Sequence, residues 1–502
     1  MRDAKRMQES KKTKDAIEPT IGPTVELMID RISSDGSGIA RTREGVIFVE
    51  GALPGEVVEA EVTKRKKDFS LARVIRVKAS NPRRVRPACP VFGTCGGCQL
   101  QHASYELQLE IKADLVRDAM TRLGGFDLRN LSLDSDPDSS CDSGLQCIPS
   151  SRQWEYRNKA SFPIRKIKGK PIAGYYETGS HWLVPLETCP VNAAPLNRLF
   201  SLLQKELPSL ALDVYDERAH AEPGLVRSGG LRHLVLRAGL HTGETLVSLV
   251  VAGRLNAQSM KSIAGLCRPL KEITTLTLNH NSQPGNVILG DRTEAIKGSG
   301  LIGERLDEWT LAYDTSSFFQ INVEQAAKLY RYVRALVQDE KPETLRILEL
   351  YSGVGSLTCY LAGLGSVTAV EEWRGAAELM VRNLKNNGIS NVNVVEGRAE
   401  NVLRDLPAYG HASLPGGYDL VVLDPPRSGC ERAVLDKILE FEPQHVLYVS
   451  CNPATLARDT KFLREGGYRL KSLRVFDMFP QTVHVETVAL MERYMERHME
   501  RH

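Results

Sequence analysis

No run of about 18 or more apolar residues occurs in the sequence, so no membrane-spanning helix is expected. No apolar stretch follows a basic start, which argues against a secretory signal. Cysteine is sparse, ten in 502 residues, and that excludes the disulfide-dense scaffold of a small secreted domain. The net charge of +3 is too small to argue for nucleic acid by itself, and no internal repeat is present. The composition is ordinary, 42% hydrophobic and 25% charged, and the chain is long enough for about three domains; a cytoplasmic, monomeric protein is expected. In a reducing compartment, clustered cysteines read as metal ligands or catalysts.

What charge there is lies unevenly. Between Lys64 and Arg86, ten Lys or Arg stand against one acid, Asp68. Such a block suits a polyanion, or is simply a solvated basic face. It overlaps a segment, Thr24 to about Ala79, of short alternating strands and glycine turns. That pattern predicts an OB-like β-barrel within residues 18–80, behind a polar, disordered tail over 1–17. Small barrels of this type commonly bind RNA. Residues 81–315 are expected to form a mixed α+β central domain. It would hold a cysteine-rich loop, a helix from about Tyr105 to Leu123, a loose Ser/Asp-rich insertion over 131–151, and strands such as LRHLVLRAG and TLVSLVVAG. Within 151–170, Trp154, Tyr156 and Phe162 interleave with seven Lys or Arg. This suits stacked bases and tracked phosphates, or a charged strand with core aromatics.

Residues 316–495 change character. The apolar runs RILEL, VTAVE, VNVVEG, DLVVLD and HVLYVS each precede a helical stretch, which predicts an α/β, Rossmann-like, doubly wound parallel sheet. In RILELYSGVGSLTCYLA a strand runs into Gly353-Val354-Gly355, where the backbone can approach a ligand closely. Glu371 ends the next strand and could accept hydrogen bonds from ribose hydroxyls. The pattern alone does not separate a nicotinamide dinucleotide from S-adenosylmethionine. DLVVLDPPR delivers Asp424 to the same carboxyl edge, and Pro425-Pro426 stiffen the turn after it. SFFQIN places Gln320 and Asn322 just before the first long helix, where polar side chains could touch the cofactor.

HVLYVSCNPATLARD puts Cys451 directly after an apolar strand, at the same edge as Asp424. A free cysteine is often only a small buried hydrophobe, but this position favours a nucleophile. In MFPQTVHVETVALMER, His484 and Glu486 lie two apart on an extended run and so share a face. A carboxylate there would complete a nucleophile–base pair. Cys89, Cys95 and Cys98 are spaced C-x₅-C-x₂-C, with Cys189 a fourth candidate; four thiolates suit either zinc or an iron–sulfur cluster. Cys141 and Cys147 read as incidental, and Cys267, Cys359 and Cys430 as packing or surface residues.

Together YVSCNPATLARD, DMFP-x-T-x-HVE, LDPPR, SFFQIN, CP-x-FG-x-CGGCQLQHAS, YRNKASFP and LRHLVLR resemble the RNA (uracil-5-)-methyltransferases, over almost the whole chain. The resemblance implies a class I S-adenosylmethionine-dependent methyltransferase domain and an N-terminal TRAM domain. It implies that Cys451 is the nucleophile and Glu486 the base, and that Gln320, Tyr351, Glu371 and Asp424 contact S-adenosylmethionine. It implies that Cys89, Cys95, Cys98 and Cys189 hold a [4Fe-4S] cluster. Ser352 replaces a cysteine common in the family, and Glu349 stands where aspartate is frequent. The sequence is most similar to the members that act on 23S rRNA; a T-loop uridine of tRNA is the competing substrate. Rival readings are a methyltransferase of exocyclic amines, which needs no cysteine nucleophile, and a non-catalytic RNA-binding protein that has kept the fold. A radical enzyme is disfavoured by the absence of C-x₃-C-x₂-C spacing.

Overall fold

The computed structural model describes residues 23–129, 145–210, 212–216, 230–266, 270–340, 344–406 and 417–494. The expected tail over 1–17, most of the Ser/Asp-rich insertion, Cys141 and Cys267 lie outside them. The chain divides into two compact units after Val85.

In the first unit, six strands form one sheet in the order Thr24–Met28, Val57–Arg65, Phe69–Ala79, Gly45–Glu50, Gly38–Thr42, Arg31–Ile32. The two edge strands are consecutive in the chain, and the Asp30 amide donates to the Ile39 carbonyl (2.8 Å), so the sheet curls back on itself as a barrel. Alternation drives this: Val58, Ala60 and Val62 point into the core while their neighbours face outward. Gly38 is required at the closure, because a Cβ there would lie 2.8 Å from Ile29 Cγ2. Buried Glu56 is held by Arg84 (2.6 Å) and by the Leu53 amide (2.9 Å). The basic block is therefore not all free for a polyanion. Arg65, Arg73, Lys78 and Arg84 pair with Glu44, Glu61, Glu26 and Glu56, while Lys64, Lys66 and Lys67 stand exposed at the hairpin tip.

In the second unit, the helix Tyr105–Arg122 follows the cysteine loop and starts at Ser104, whose Oγ accepts from the Leu107 amide (3.4 Å). A central sheet runs Leu183–Pro185, Lys170–Tyr176, Lys159–Ile167, Gly230–Ala238, Thr245–Ala252, Thr275–His280, Arg292–Lys297. Gly230–Ala238 and Thr245–Ala252 are buried throughout, which explains their nearly continuous apolar reading. The last sheet has the order Val392–Glu396, Gly365–Glu371, Leu345–Leu350, Leu420–Leu423, His445–Ser450, Glu486–Arg493, Tyr468–Phe476, Cys147–Ile148. The first five strands are parallel, and Glu486–Arg493 is antiparallel to both of its neighbours. The eighth strand corrects the reading of Cys147. Cys147 is buried and pairs with Val475 at the sheet edge, so the far end of the supposed loose insertion is part of the scaffold. A two-residue strand is too short to show any periodicity.

Chain order reverses at Leu345–Leu350, with Gly365–Glu371 on one side and Leu420–Leu423 on the other. Open α/β sheets bind ligands at such a switch point, outside the carboxyl ends of the strands. The Gly353–Gly355 loop, Glu371, Asp424 and Cys451 all follow the carboxyl ends of these strands.

Candidate active site and cysteine-lined cavity

The antiparallel register places the nucleophile and base candidates. Ser450 pairs with Thr487, so one further step brings Cys451 opposite Glu486. Asn452 then starts the helix Pro453–Glu465, its Oδ1 accepting from the Ala454 amide (3.1 Å) and Pro453 filling the first turn. The Asn452 Nδ2 donates to the Arg427 carbonyl (2.9 Å), which ties the cysteine turn to the Asp424-Pro425-Pro426-Arg427 turn. Burial and the neighbouring Glu486 carboxyl push the Cys451 thiol up to about 11; Arg427 opposes them, and Asp424 adds to the rise. Arg427 carried no role in the sequence reading. It is the cation that faces the thiol and Glu486, and it also meets His484 Nδ1 at 3.4 Å. A thiolate nucleophile needs a cation near it, and the Arg directly after Asp-Pro-Pro was the available signal.

Of the cofactor candidates, Tyr351 follows the switch strand Leu345–Leu350 and Glu371 ends the strand beyond it, while Asp424 lies on the cysteine side. Tyr351 has a left-handed backbone (φ +66°), an uncommon conformation for a bulky residue that turns the strand into the glycine loop. Gly355 is also left-handed (φ +89°), and a Cβ there would lie 2.7 Å from Met380 Cγ. Glu371 accepts from the amides of Gly353 (2.8 Å) and Trp373 (2.8 Å), so it braces the loop. Gln320 is buried, and its carbonyl accepts from Asn158 Nδ2 (3.0 Å). Asn322 differs from expectation. Its side chain turns into the scaffold, donating to Ser150 Oγ and the Met478 carbonyl and capping the helix at Gln325.

Acids concentrate at this edge. Burial pushes Asp424 up to about 7, and pushes Glu486 well above the carboxylate range with Asp424 adding to the effect and Arg427 opposing it. Burial likewise raises Glu349 to about 8, against the Thr358 hydrogen bond and with help from Asp424 and Glu371. Glu349 Oε2 is buried without a hydrogen-bond partner. Several buried acids with an orphaned oxygen fit a cationic ligand, and S-adenosylmethionine carries a sulfonium and an ammonium.

The four candidate cysteines also come together. Cys89, Cys95, Cys98 and Cys189 line one cavity with Arg157 and Tyr175. Burial pushes Cys98 up to about 11 and raises Cys95 and Cys189. The Arg157 Nε is buried there without a partner. Among the described residues, no three His, Cys, Asp or Glu side chains converge closely enough to hold a single metal ion. No described helix is long and apolar enough to cross a membrane.

A doubly wound sheet of this strand order, with an antiparallel strand inserted beside the fifth, is the fold of class I methyltransferases. The tRNA (uracil-5-)-methyltransferase model matches residues 240–494, and the TRAM domain model matches residues 19–75. An RNA methyltransferase of Thermosynechococcus vestitus is 38% identical over 472 residues, 94% of this chain and 98% of its own length. One of Halalkalibacterium halodurans is 34% identical over 469 residues, 93% of this chain and 96% of its own. The structure of the Pyrococcus abyssi tRNA (uracil-54, C5)-methyltransferase with S-adenosyl-L-homocysteine matches at a TM-score of 0.68 and 28% identity, covering 93% of this chain and 100% of that one. The chain belongs to the tRNA (uracil-5-)-methyltransferase family and is an S-adenosylmethionine-dependent RNA methyltransferase.

The acids give this enzyme a pH signature. Where S-adenosylmethionine meets these carboxylates it favours their ionised forms, so protons held by Asp424 and Glu349 are expected to leave on binding. Affinity for S-adenosylmethionine is then expected to rise with pH up to about 8. Calorimetry in two buffers of different ionisation enthalpy is expected to show net proton release. Proton uptake, or pH-independent affinity, would contradict the carboxylate assignment.

Proposed function

We propose that this enzyme transfers the methyl group of S-adenosylmethionine to carbon 5 of one uridine in RNA, through a covalent Cys451–uracil adduct. The observation that carries the reading is the register that sets Cys451 opposite Glu486, beside Asp424 and Arg427. Carbon 5 of uracil is a poor nucleophile. Addition of the Cys451 thiolate to carbon 6 makes an enolate, and its carbon 5 displaces S-adenosylhomocysteine from the methyl group. Arg427 favours the thiolate. Glu486 then takes the carbon 5 proton, the C–H electrons form the 5,6 double bond, and the thiolate leaves carbon 6. Gln320, Tyr351, Glu371 and Asp424 hold the methyl donor, which supplies an electrophilic methyl when bound.

Cys89, Cys95, Cys98 and Cys189 would hold a [4Fe-4S] cluster. Such a cluster spreads its four thiolates further apart than one ion does, and its negative charge would meet Arg157. Its role would be structural or RNA-organising rather than redox-catalytic.

The favoured substrate is 23S rRNA, on the resemblance carried by the barrel and the cysteine motif together. A T-loop uridine of tRNA is the second reading, favoured by the likeness to the Pyrococcus enzyme. Mass-spectrometric mapping of 5-methyluridine in rRNA and tRNA from cells lacking the gene separates them. Loss at one 23S rRNA site is expected. Loss only in tRNA would move the substrate, and no loss anywhere would overturn the reading.

A further inference from the structure

Glu486 is delivered to the site by the segment Asp477–Val485, and that segment is held by residues distant in sequence. The amides of Gln99 and Leu100, directly after Cys98, both donate to the Gln481 carbonyl (3.1 and 3.0 Å). Gln108, in the helix after the cysteine loop, exchanges two bonds with Gln481. Its Oε1 accepts from the Gln481 amide (2.9 Å), and its Nε2 donates to Gln481 Oε1 (3.1 Å). Lys112, one turn further on, pairs with fully buried Asp477 and donates to the Phe479 carbonyl (2.9 Å). The Tyr156 hydroxyl donates to the Pro480 carbonyl (2.9 Å). Both glutamines are almost completely buried, and Gln481 is kept in a left-handed conformation (φ +71°). A non-glycine residue stays there only when its surroundings over-determine it. On the other side, Gln101 accepts from the Cys89 amide (3.1 Å) and touches the Cys98 thiol. The walls of the cysteine cavity and the segment bearing the base are thus one hydrogen-bonded body.

We propose that Gln481, clamped by Gln108 and the Gln99-Leu100 amides, is a positioning residue for Glu486, so that an intact cysteine loop is a condition for the proton-abstraction step. This rests on the reading of Cys451 as nucleophile and Glu486 as base. In that step the carbon 5–hydrogen bond breaks, its proton goes to Glu486, the double bond re-forms, and the carbon 6–sulfur bond breaks to release the Cys451 thiolate. A displaced carboxylate slows this step but leaves addition and methyl transfer intact. The enzyme then stalls as a methylated RNA adduct. General loss of structure has no such signature.

The test compares Gln108→Leu and Gln481→Gly in the full-length holoenzyme, using methyl-labelled S-adenosylmethionine with unmodified 23S rRNA and tRNA transcripts. Glycine accepts the left-handed backbone without strain, so Gln481→Gly covers the case in which Gln108→Leu does not fold. The expected result is a fall in kcat of about ten- to a hundredfold. The Kd for S-adenosylmethionine should stay within about twofold, and labelled protein–RNA adduct stable to denaturant should accumulate. Wild-type turnover, or a loss of activity without adduct, overturns the proposal. Glu486→Gln serves as the reference. If it traps adduct and the glutamine variants do not, positioning fails alone; if it traps none on either RNA, the reading of the site fails with it.

Discussion

Cys451→Ala is expected to abolish methyl transfer to RNA, by roughly 10⁴-fold or more, while leaving S-adenosylmethionine affinity within about twofold. The reason is chemical. Without the thiolate, carbon 5 of uracil has no enolate behind it, and holding the methyl donor in line activates nothing. The cofactor side of the switch point does not depend on the thiol. Glu371 is held by backbone amides, and the glycine loop is shaped by its own left-handed turns. The half-buried thiol is also small, so alanine leaves little cavity. Single-turnover methylation and calorimetric binding check the two halves separately. A Cys451→Ala enzyme with full activity would support methylation of an exocyclic amine and would sink the adduct mechanism.

The second large effect is expected from Glu486→Gln. Glutamine keeps the shape of the side chain but takes no proton. Turnover should fall by about 10²- to 10⁴-fold, as for loss of a positioned base. Methyl transfer within the first turnover should survive, because it precedes proton removal. The product is then an RNA linked to Cys451 and already methylated, visible as a denaturant-stable band carrying label. Equal loss of transfer and turnover, with no band, would mean that Glu486 acts earlier, for example in deprotonating the thiol. The raised Glu486 carboxyl makes that alternative chemically real. The order of the two events in the variant decides between them.

Much of the scaffold was legible because it is local and periodic. The five parallel strands and their helices repeat a clear pattern, and buried strands such as Thr245–Ala252 announce themselves by composition. The barrel was legible from alternation. The strand-end position of Cys451 was legible because an apolar strand runs directly into Cys-Asn-Pro. What escaped depends on contacts between distant parts of the chain. The buried Lys112–Asp477 pair joins residues 365 apart, and nothing in either neighbourhood signals the other. Cys147 belongs to a strand too short to carry a period, beside a Ser/Asp-rich stretch that masks it. Asn322 looked like a cofactor contact because it lies near Gln320, but an Asn ahead of a helix is also a natural cap, and the cap prevailed. The role of Arg427 is not legible locally, because only the fold brings the turn after Asp424 against the cysteine turn. Part of the basic block of the barrel turned out to be spent on acids of its own unit, a pairing that a local charge count does not register.

The central claim is that a uracil is attached to Cys451 while carbon 5 is methylated. It is tested most directly with RNA in which uridine is replaced by 5-fluorouridine, incubated with the enzyme and S-adenosylmethionine and digested for mass spectrometry. Fluorine on carbon 5 leaves no proton for Glu486 to take, so the adduct cannot resolve. The account predicts a peptide containing Cys451 linked to a fluorinated nucleotide that also carries the transferred methyl group. A methyl group found on a base nitrogen or a ribose, or a fluorinated RNA recovered free of protein, would contradict it.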